Sequence, residues 1–399
     1  IPADILADLR NICRRRRGAF KHERGKVPRV MTEYQEVELR IPLRSDLVGP
    51  ENVQKLNAEL RYSRSEHWAS KPAKARFMTE FAKSGLASGL LEHAPDAKHV
   101  NRVVLAKKWG LDSEKMGDGY DLRFCLDLSS LNHIFKPALC TYPDPHSEMI
   151  KLTTQDVYFQ ADGMKQFWSI PLDPQSREFM GFHTPLGILR FKRLPMGMLS
   201  SAVFAQNAYH RAMHRHLKSD TLQNLANFQD DFAGGAAGPT KWVDLLRRWD
   251  DFLHMCEQAG ITLNLAKCKW GYNECTFFSW KIRSGGEIRP KKSSLGPLEA
   301  MVPPATLSET RSVLGILVQL KDYVQGYAHI VQPLHDLTKG SKKIKKKFSL
   351  TAAAKQAFHD IKLLMLDNRV LFAPNEEDHL IVESDASDAG YGGNLFFLR

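Results

Sequence analysis

The stretch "LANFQDDFAGG", residues 225–235, places two adjacent aspartates, Asp230 and Asp231, between an aromatic residue and a glycine pair. Strand-like residues on both sides predict a β-hairpin with both acids at its tip. Neighbouring carboxylates repel each other unless a cation neutralises them. A hard divalent ion such as magnesium, which prefers oxygen ligands, is the natural partner. The pair alone leaves an ordinary turn or helix cap open as the alternative.

A third carboxylate is available from an earlier strand. The run "VYFQAD" has strand character and ends in Asp162. If this strand lies beside the hairpin, three carboxylates can share two metal ions spaced about 4 Å apart, the arrangement used for in-line displacement at phosphorus. The sequence therefore favours a phosphoryl-transfer centre.

The chain alternates strand-like runs with amphipathic helical segments, which indicates the α+β class. The predicted strands are 102–108, 121–128, 156–162, 188–194 and 224–229. The predicted helices are 73–91, 200–217, 240–259 and 352–366. Thr306 and Glu309 form a capping-box pair before the apolar run 313–320, and the tail from His379 predicts strand, turn, strand.

The length of 399 residues predicts more than one domain, and the charge predicts a polyanionic partner. Lys and Arg number 56 against 45 for Asp and Glu, which gives a formal charge of +11. Nucleic acid is the expected partner, although a basic surface kept for solubility is the alternative. Arg14–Arg17 could form a nuclear signal, a nucleic-acid contact or a solvated turn, and the basic loop 339–348 could contact phosphate or only solvent.

The cysteines indicate reduced thiols in a soluble intracellular protein. They are scattered without metal-ligand spacing, at Cys13, Cys125, Cys140, Cys256, Cys268 and Cys275. No apolar stretch approaches the roughly 20 residues of a membrane helix. Because the chain begins with Ile1 and carries no signal peptide, we expect a segment processed or excised from a longer polypeptide.

Several blocks together resemble the reverse transcriptases of LTR retrotransposons, most closely the gypsy type, and their retroviral relatives. The central blocks are "DGMKQFWSIPLDPQSREFMGFHTPLGILRFKRLPMGMLSSAVFAQ", residues 162–206, and the later "FQDD". The flanking blocks, in family order, are "VVLAKK", "LRFCLDLSSLN", "LNLAKCKWGYNECTFFSWKI", "IRPKKSSLGPLEAMVPPATLSETRSVLGIL", "FSLTAAAKQAFHDIKLLMLDNRVLFAP" and "VESDASDAGYGG". They cover nearly everything from about residue 75 onward.

The resemblance implies a right-hand polymerase whose palm is a ferredoxin-like antiparallel sheet with helices on one face. The implied boundaries are an N-terminal extension (1–66), fingers (67–137 and 170–200), palm (138–169 and 201–285), thumb (286–345), connection (346–375) and the truncated start of an RNase H domain (376–399).

The resemblance also implies the metal and catalytic residues. Asp162, Asp230 and Asp231 would hold two Mg²⁺ ions, with Mn²⁺ as a substitute, and the Gly163 carbonyl would be a further ligand. Lys267 matches the lysine proposed to protonate the pyrophosphate leaving group.

The nucleotide contacts follow in the same way. Phe167 matches the steric gate that excludes a ribose 2′-hydroxyl, with a buried core phenylalanine as the alternative. The further positions matching nucleotide contacts are Lys107 or Lys108, Arg123, Met196, Gly197, Gln206, Phe228 and Gln229.

For the nucleic acid, Ser201 and Gln206 follow on a helix near the template. Phe278, Ser279 and Trp280 match a hairpin that grips the primer, although these aromatics could equally be strand residues packed on a core.

Some positions depart from the family pattern. Phe228 replaces a tyrosine, Gln229 a small or branched residue, Ser279 a glycine and Ser129 a commonly basic residue. None of these positions is a metal ligand, so the polymerase chemistry is still expected, with Gln229 able to alter fidelity or rate.

The predicted activity is RNA-directed DNA polymerisation on an RNA or DNA template with a primer and dNTP substrates, in the cytoplasm within a retroelement particle and, as a further location, in the nucleus. The alternative is a catalytically inactive, domesticated nucleic-acid-binding or assembly module; a telomerase-like polymerase is a further one. Asp385 matches one RNase H metal ligand, but one carboxylate cannot assemble a two-metal site. We therefore expect no RNase H activity from this segment. The oligomeric state does not follow from the sequence.

Overall fold

The computed structural model describes residues 1–21, 27–47, 71–97, 99–107, 122–139, 142–324, 326–339, 349–366, 371–372, 378–387 and 390–398. The chain divides into two compact units. Unit 1 comprises Ile1–Asp144, Gln160–Phe232 and Trp242–Trp270. Unit 2 comprises Pro145–Phe159, Ala233–Lys241 and Gly271–Arg399.

Helices and strands are mixed along the chain, with a run of four strands at residues 269–290 and a run of helices at residues 292–366. The helices are α1 (Ala3–Arg15), α2 (Pro72–Ala87), α3 (Pro145–Thr153), α4 (Pro174–Arg177), α5 (Ser201–His216), α6 (Ser219–Gln223), α7 (Lys241–Ala259), α8 (Lys292–Glu299), α9 (Leu307–Leu317), α10 (Tyr327–Asp336) and α11 (Ala352–Leu366). The strands are β1 (Leu91–His93), β2 (Val100–Lys107), β3 (Leu122–Asp127), β4 (Val157–Asp162), β5 (Gly181–Thr184), β6 (Gly187–Phe191), β7 (Leu225–Phe228), β8 (Asp231–Ala236), β9 (Lys269–Tyr272), β10 (Glu274–Phe277), β11 (Trp280–Arg283), β12 (Glu287–Pro290), β13 (Leu371–Phe372), β14 (His379–Ser387) and β15 (Gly390–Leu398).

Unit 1 contains a five-stranded sheet of order β1-β6-β5-β2-β3. The β2–β5 pair is parallel, and the other neighbours are antiparallel. Aromatic side chains pack against this sheet. The rings of Phe81 and Phe124 stack with centroids 4.4 Å apart, and Phe182 and Phe191 lie against Phe124. Buried aromatic area of this kind holds α2 against the strands.

The sheet that carries the aspartates has the order β7-β8-β4-β9. Asp162 is the last residue of β4, and Asp231 is the first residue of β8. The turn between β7 and β8 contains Gln229 and Asp230. The hairpin predicted around residues 224–233 is therefore confirmed.

Helix α7 shows why the pattern of apolar residues predicts its position. Leu245, Trp249, Phe252 and Cys256, at spacings of three and four, are all buried. The helix ends at Ala259 because Gly260 has a φ of +73°, a left-handed conformation that glycine adopts readily. The predicted helices 200–217 and 352–366 are confirmed as α5 and α11.

Unit 2 contains a second four-stranded sheet, β10-β11-β12-β13, and a two-stranded sheet, β14-β15. Trp280 on β11 is buried and lies 4.9 Å, ring to ring, from His146 of α3. Helices α8 to α11 lie in sequence between β12 and β13 of the second sheet. The terminal hairpin predicted from the sequence is confirmed by the pairing of β14 with β15.

Among the described helices, none combines the length and the apolar character that a membrane span requires. Lys108, Cys140 and most of the basic loop 339–348 lie outside the described residues. The predictions made for them stay predictions.

The cap of α9 gives a testable expectation for stability. The Thr306 hydroxyl accepts a hydrogen bond from the Glu309 N–H, which confirms the Thr306 half of the predicted capping box. The Glu309 carboxylate accepts from the Ala305 N–H, one residue before the N-cap. Thr306→Ala should lower the free energy of unfolding by about 1 kcal/mol, measured by urea denaturation, because one N-terminal amide loses its partner.

The matched control is Ser308→Ala, two residues further along, since the Ser308 side chain lies on the exposed first turn. Equal losses of stability for the two variants would contradict the role given to the cap.

Candidate active site

Asp162 and Asp230 are brought together by backbone hydrogen bonds. The Gly163 N–H donates to the Asp230 carbonyl at 2.7 Å, which joins the residue after β4 to the hairpin turn. A Cβ placed on Gly163 would lie only 3.5 Å from the Cβ of Asp230. Two acidic residues that are 68 positions apart in sequence thus occupy one small region of unit 1.

The electrostatics of this region disfavour the negative charges that it holds. Burial raises the pKa of Asp230 above its ordinary value, and the negative charge of Asp162 raises it further. Lys267 opposes this effect. The Lys267 ammonium donates to Asp162 Oδ1 at 2.8 Å. An exposed lysine therefore acts as the counter-ion of the partly buried Asp162 carboxylate.

The donor set is suited to a hard cation, although its geometry is not that of a closed metal site. Carboxylates and a backbone carbonyl are the oxygen ligands that Mg²⁺ prefers. Within the described ranges, no group of three or more His, Cys, Asp and Glu side chains is arranged to hold a metal ion. Asp231 is exposed, and the Asp162 carboxylate is paired with Lys267. The two-metal assignment of Asp162, Gly163, Asp230 and Asp231 stays a prediction.

Tyr209 is a site residue that sequence reasoning missed. It lies on α5, is buried, and its hydroxyl would be 2.8 Å from a Cβ placed on Gly163. Burial raises the pKa of Tyr209 well above its ordinary value, and the negative charge of Asp230 adds to this effect. The sequence indicates Tyr209 through its position in the helical repeat, which places it on the same buried face as Ala205, Ala208 and Ala212.

The tip of the hairpin is held by a buried amide network. Gln206 of α5 donates through Nε2 to Asn227 Oδ1 at 2.9 Å, and its Oε1 accepts from the Gln229 N–H at 2.6 Å. Asn227 Nδ2 donates to the carbonyls of Gln229 and Asp231 at 2.9 and 3.2 Å. Gln229 has a φ of +55°, so this network holds the turn in a conformation that non-glycine residues rarely adopt.

Both ends of Gln206 are therefore used inside the protein, and its side chain is 1% exposed. Its predicted position near the template and nucleotide stays a prediction. The geometry favours an indirect role, since Gln206 supports the turn that carries Asp230. Phe228, the residue before this turn, has its ring 6.1 Å from that of Tyr142.

The predicted nucleotide contacts are distributed over the strands and loops of unit 1. Arg123 on β3 is exposed and lowers the pKa of Asp230, which places its positive charge within range of that carboxylate. Its strand partner is Ala106, next to Lys107 at the end of β2. Phe167 lies half-buried in a short 3₁₀ helix, Gln166–Ser169, directly after the Asp162 loop.

The loop with Met196 and Gly197 is fixed to β3. The Leu126 N–H donates to the Met196 carbonyl at 3.0 Å. Gly197 has a φ of +113°, and a Cβ there would collide with the Leu126 carbonyl. Glycine is therefore required at this position by the backbone. Ser201 is buried and donates to the Pro195 carbonyl at 2.8 Å, so it fixes the start of α5.

The predicted primer-gripping residues belong to unit 2. Phe278 is 46% exposed and has a φ of +54°, whereas Trp280 is 5% exposed. This difference favours Phe278 as a direct contact and favours the core interpretation for Trp280. Ser279 is half-buried and its carbonyl accepts from the Lys291 N–H at 2.9 Å. Asp385 lies in β14 opposite Gly392.

Comparison with known proteins shows what this arrangement is similar to. Residues 121–294 match the family described as reverse transcriptase (RNA-dependent DNA polymerase). The retrovirus-related Pol polyprotein from transposon opus of Drosophila melanogaster is 22% identical over 283 residues, which are 68% of this chain and 27% of that protein. The transposon Tf2-3 polyprotein of Schizosaccharomyces pombe is 21% identical over 324 residues, covering 81% and 23% respectively.

The resemblance to LTR-retrotransposon reverse transcriptases is thereby confirmed. The chain spans about a quarter of the length of these curated relatives.

Solved structures show the same fold. The foamy viral protease-reverse transcriptase dRH in complex with double-stranded DNA has a TM-score of 0.75 at 16% identity, covering 99% of this chain and 66% of that chain. The foamy viral protease-reverse transcriptase in complex with double-stranded DNA has a TM-score of 0.73 at 17% identity, covering 100% and 75%. The predicted α+β polymerase fold is confirmed.

The hairpin network can be tested through stability. Gln206→Met keeps the approximate shape of the side chain but removes the acceptor of the Gln229 N–H and the donor to Asn227 Oδ1. We expect it to lower the free energy of unfolding by about 1–3 kcal/mol, the usual cost of an unpaired buried polar group. Urea denaturation measures this loss.

Asn207→Ala is the control, because the neighbouring Asn207 makes only a long 3.4 Å bond to the Leu139 carbonyl. A Gln206→Met variant as stable as the wild type would show that the network does not hold the turn.

Proposed function

We propose that this chain, whose residues 121–294 match the reverse transcriptase family, adds deoxynucleoside monophosphates to a primer 3′-hydroxyl on an RNA template and releases pyrophosphate. The observation that carries this proposal is the Gly163–Asp230 backbone bond, which joins Asp162 to the hairpin acids within the matched residues. The charged, partly buried carboxylates are the groups that such a reaction requires.

We propose that Asp162, Asp230, Asp231 and the Gly163 carbonyl bind two Mg²⁺ ions, for which Mn²⁺ can substitute. Two bound ions would activate the attacking hydroxyl and stabilise the leaving oxygen. The raised pKa of Asp230 supports the proposal, since a bound cation removes the repulsion from Asp162. In this proposal the carboxylates would hold the ions and thereby orient the reacting groups, and they would form no covalent bond with the substrate.

Lys267 has two tasks in this proposal. Without metal, its ammonium neutralises Asp162 at 2.8 Å. With metal and substrate bound, the long exposed side chain is free to leave Asp162 and to carry a proton to the pyrophosphate. A lysine suits both tasks because its charge sits on a flexible stem.

The remaining contacts concern the incoming nucleotide. We propose that Arg123 and Lys107 or Lys108 bind its triphosphate, since Arg123 projects from the strand next to β2 and its charge reaches the Asp230 region. Met196 and Gly197 border its base, with Phe228 and Gln229 on the hairpin side. Phe167 would exclude the 2′-hydroxyl of a ribonucleotide.

We propose that the polyanionic partner is the template–primer duplex. The net charge of +11 supports this proposal, as does the fold shared with foamy viral enzymes solved with double-stranded DNA and with an RNA/DNA hybrid. Contacts to phosphate should dominate the affinity. The exposed Phe278 provides an aromatic ring suited to stacking at the primer end.

The predicted division into fingers, palm, thumb, connection and RNase H start stays a proposal, as do the cytoplasmic particle and the nucleus as locations. For Asp385, we propose a role as one ligand of an RNase H metal site, a kind of site that one carboxylate does not complete.

The metal-binding assignment predicts the effect of Asp230→Asn. Removing one carboxylate charge should lower dTMP incorporation on poly(rA)/oligo(dT) with Mg²⁺ by about a hundred- to a thousandfold, because the loss falls on charge stabilisation at the reacting phosphate. Primer extension under steady-state conditions measures the rate. Asp8→Asn on the exposed face of α1 is the matched control and should retain the wild-type rate.

Equal incorporation by wild type and Asp230→Asn would show that the activity does not use this centre. No incorporation by the wild type over a range of salt and of Mg²⁺ and Mn²⁺ concentrations would favour the inactive nucleic-acid-binding module.

The steric-gate assignment predicts the effect of Phe167→Ala. Deleting the ring should raise the incorporation of ribonucleotides relative to deoxynucleotides by about tenfold or more, since space for one hydroxyl is created. Paired kcat/KM values for dTTP and UTP measure the ratio. Phe179→Ala, half-buried just before β5, is the control for a general loss of an aromatic ring. An unchanged ratio in Phe167→Ala would support the core interpretation.

A further inference from the structure

The N-terminal segment packs on the helix that backs the aspartate sheet. Arg16 is paired with Asp250 at 2.8 Å and with Glu257 at 3.5 Å, both on α7. Arg15 is paired with Asp250 at 2.9 Å, and the Gly18 N–H donates to Glu257 Oε1 at 3.0 Å. Two members of the arginine run 14–17, Arg15 and Arg16, are therefore paired with acidic residues of α7. Residues 1–21 and 27–34 are called the N-terminal brace below.

The brace continues onto the segment that follows α7. The Leu263 N–H donates to the Ala19 carbonyl at 2.8 Å. The Arg29 guanidinium donates to the Ile261 carbonyl at 3.0 Å, and the Arg29 N–H donates to Thr262 Oγ1 at 3.1 Å. Thr262 is 2% exposed, so these bonds are made away from solvent. Segment 261–264 is thus held from one side by the brace.

The same segment is bonded on its other side to the residues around Asp162. The Met164 N–H donates to the Thr262 carbonyl at 2.8 Å, and the Asn264 N–H donates to the Asp162 carbonyl at 2.9 Å. Gly163 and Leu263 form an antiparallel bridge, and Gly163 in turn donates to Asp230. A continuous series of backbone bonds runs from Ala19 through residue 263 to Gly163 and Asp230.

The brace also closes the end of α7 tightly. A Cβ on Gly260 would lie 2.5 Å from the Val30 carbonyl, and Thr32 Oγ1 donates to the Gln258 carbonyl at 2.6 Å. Met31 N–H donates to the Ser169 carbonyl at 3.0 Å, at the end of the short helix that carries Phe167. The brace therefore contacts both segments that flank Asp162 in space.

We propose that the N-terminal brace is a positioning element of the polymerase centre, which fixes the Asp162 loop through segment 261–264. The effect on polymerisation rests on the proposed function, whereas the restraint of the Asp162 loop by the brace does not. Arg29 is the principal positioning residue, because its main chain and its side chain both bond the segment. A displacement of about 1 Å at a reacting group is enough to reduce a rate by about a hundredfold.

Arg29→Met tests this role, since it keeps the aliphatic stem and removes the guanidinium. Two quantities are measured in the full chain: hydrogen–deuterium exchange in peptides covering 160–165 and 260–266, and the kcat and KM for dTTP on poly(rA)/oligo(dT). We expect faster exchange in both peptides and a kcat lower by about tenfold, with the KM for dTTP within about twofold of wild type.

Thr262→Val is the second variant, because it is close to isosteric and removes the hydroxyl that accepts from Arg29. Thr262→Ser restores that hydroxyl and should recover slow exchange and the wild-type kcat. Arg10→Met is the matched control on the brace: Arg10 is exposed on α1, outside the arginine run 14–17, and its variant should behave as wild type in both measurements.

The outcomes separate the two proposals. Unchanged exchange in Arg29→Met and in Thr262→Val, or faster exchange with an unchanged kcat, would overturn the positioning role. Hydrogen exchange can be measured in an inactive chain. A wild type that incorporates no nucleotide would refute the proposed function alone, and unchanged exchange in the Arg29 and Thr262 variants would then refute the brace as well.

Discussion

Unit 1 must hold the like-charged carboxylates of Asp162 and Asp230 close together in a partly buried region. Burial and the charge of Asp162 both raise the pKa of Asp230, so the folded chain must work against electrostatic repulsion to keep these residues adjacent. Directional backbone bonds supply the restraint: Gly163 to Asp230, Asn264 to Asp162 and Met164 to Thr262. These bonds use main-chain atoms, and the Lys267 ammonium, which pairs with the Asp162 carboxylate, offsets part of the repulsion.

Three elements converge on this restraint from different parts of the chain. Helix α5 provides Tyr209 beneath Gly163 and Gln206 behind the hairpin turn. Helix α7 leads into segment 261–264, and the N-terminal segment closes over both. Gly163 lies where they meet, and its lack of a side chain allows the tyrosine and the hairpin to approach together. The packing around Gly163 in unit 1 therefore also determines how close Asp162 and Asp230 lie.

The sequence predicted elements wherever a local period or a local turn decides the structure. The apolar spacing of Leu245, Trp249 and Phe252 defined α7, and Thr306 with Glu309 marked the start of α9. Contacts made over long sequence separations were not predictable. Nothing in the pattern of Arg16 indicates Asp250 as its partner, and Tyr209 carries no motif that links it to Gly163. Burial also distinguishes Trp280 from Phe278, which alternation alone did not.

The left-handed backbone at Gln229 has a consequence for how this centre can vary over evolution. At a φ of +55° the main chain accepts glycine or asparagine at little cost, whereas a β-branched side chain there would be strained. The conformation of the turn thus limits which residues are tolerated beside Asp230 and Asp231. A branched residue, which the reverse transcriptase pattern places at this position, would therefore hold more backbone strain in this turn than glutamine does.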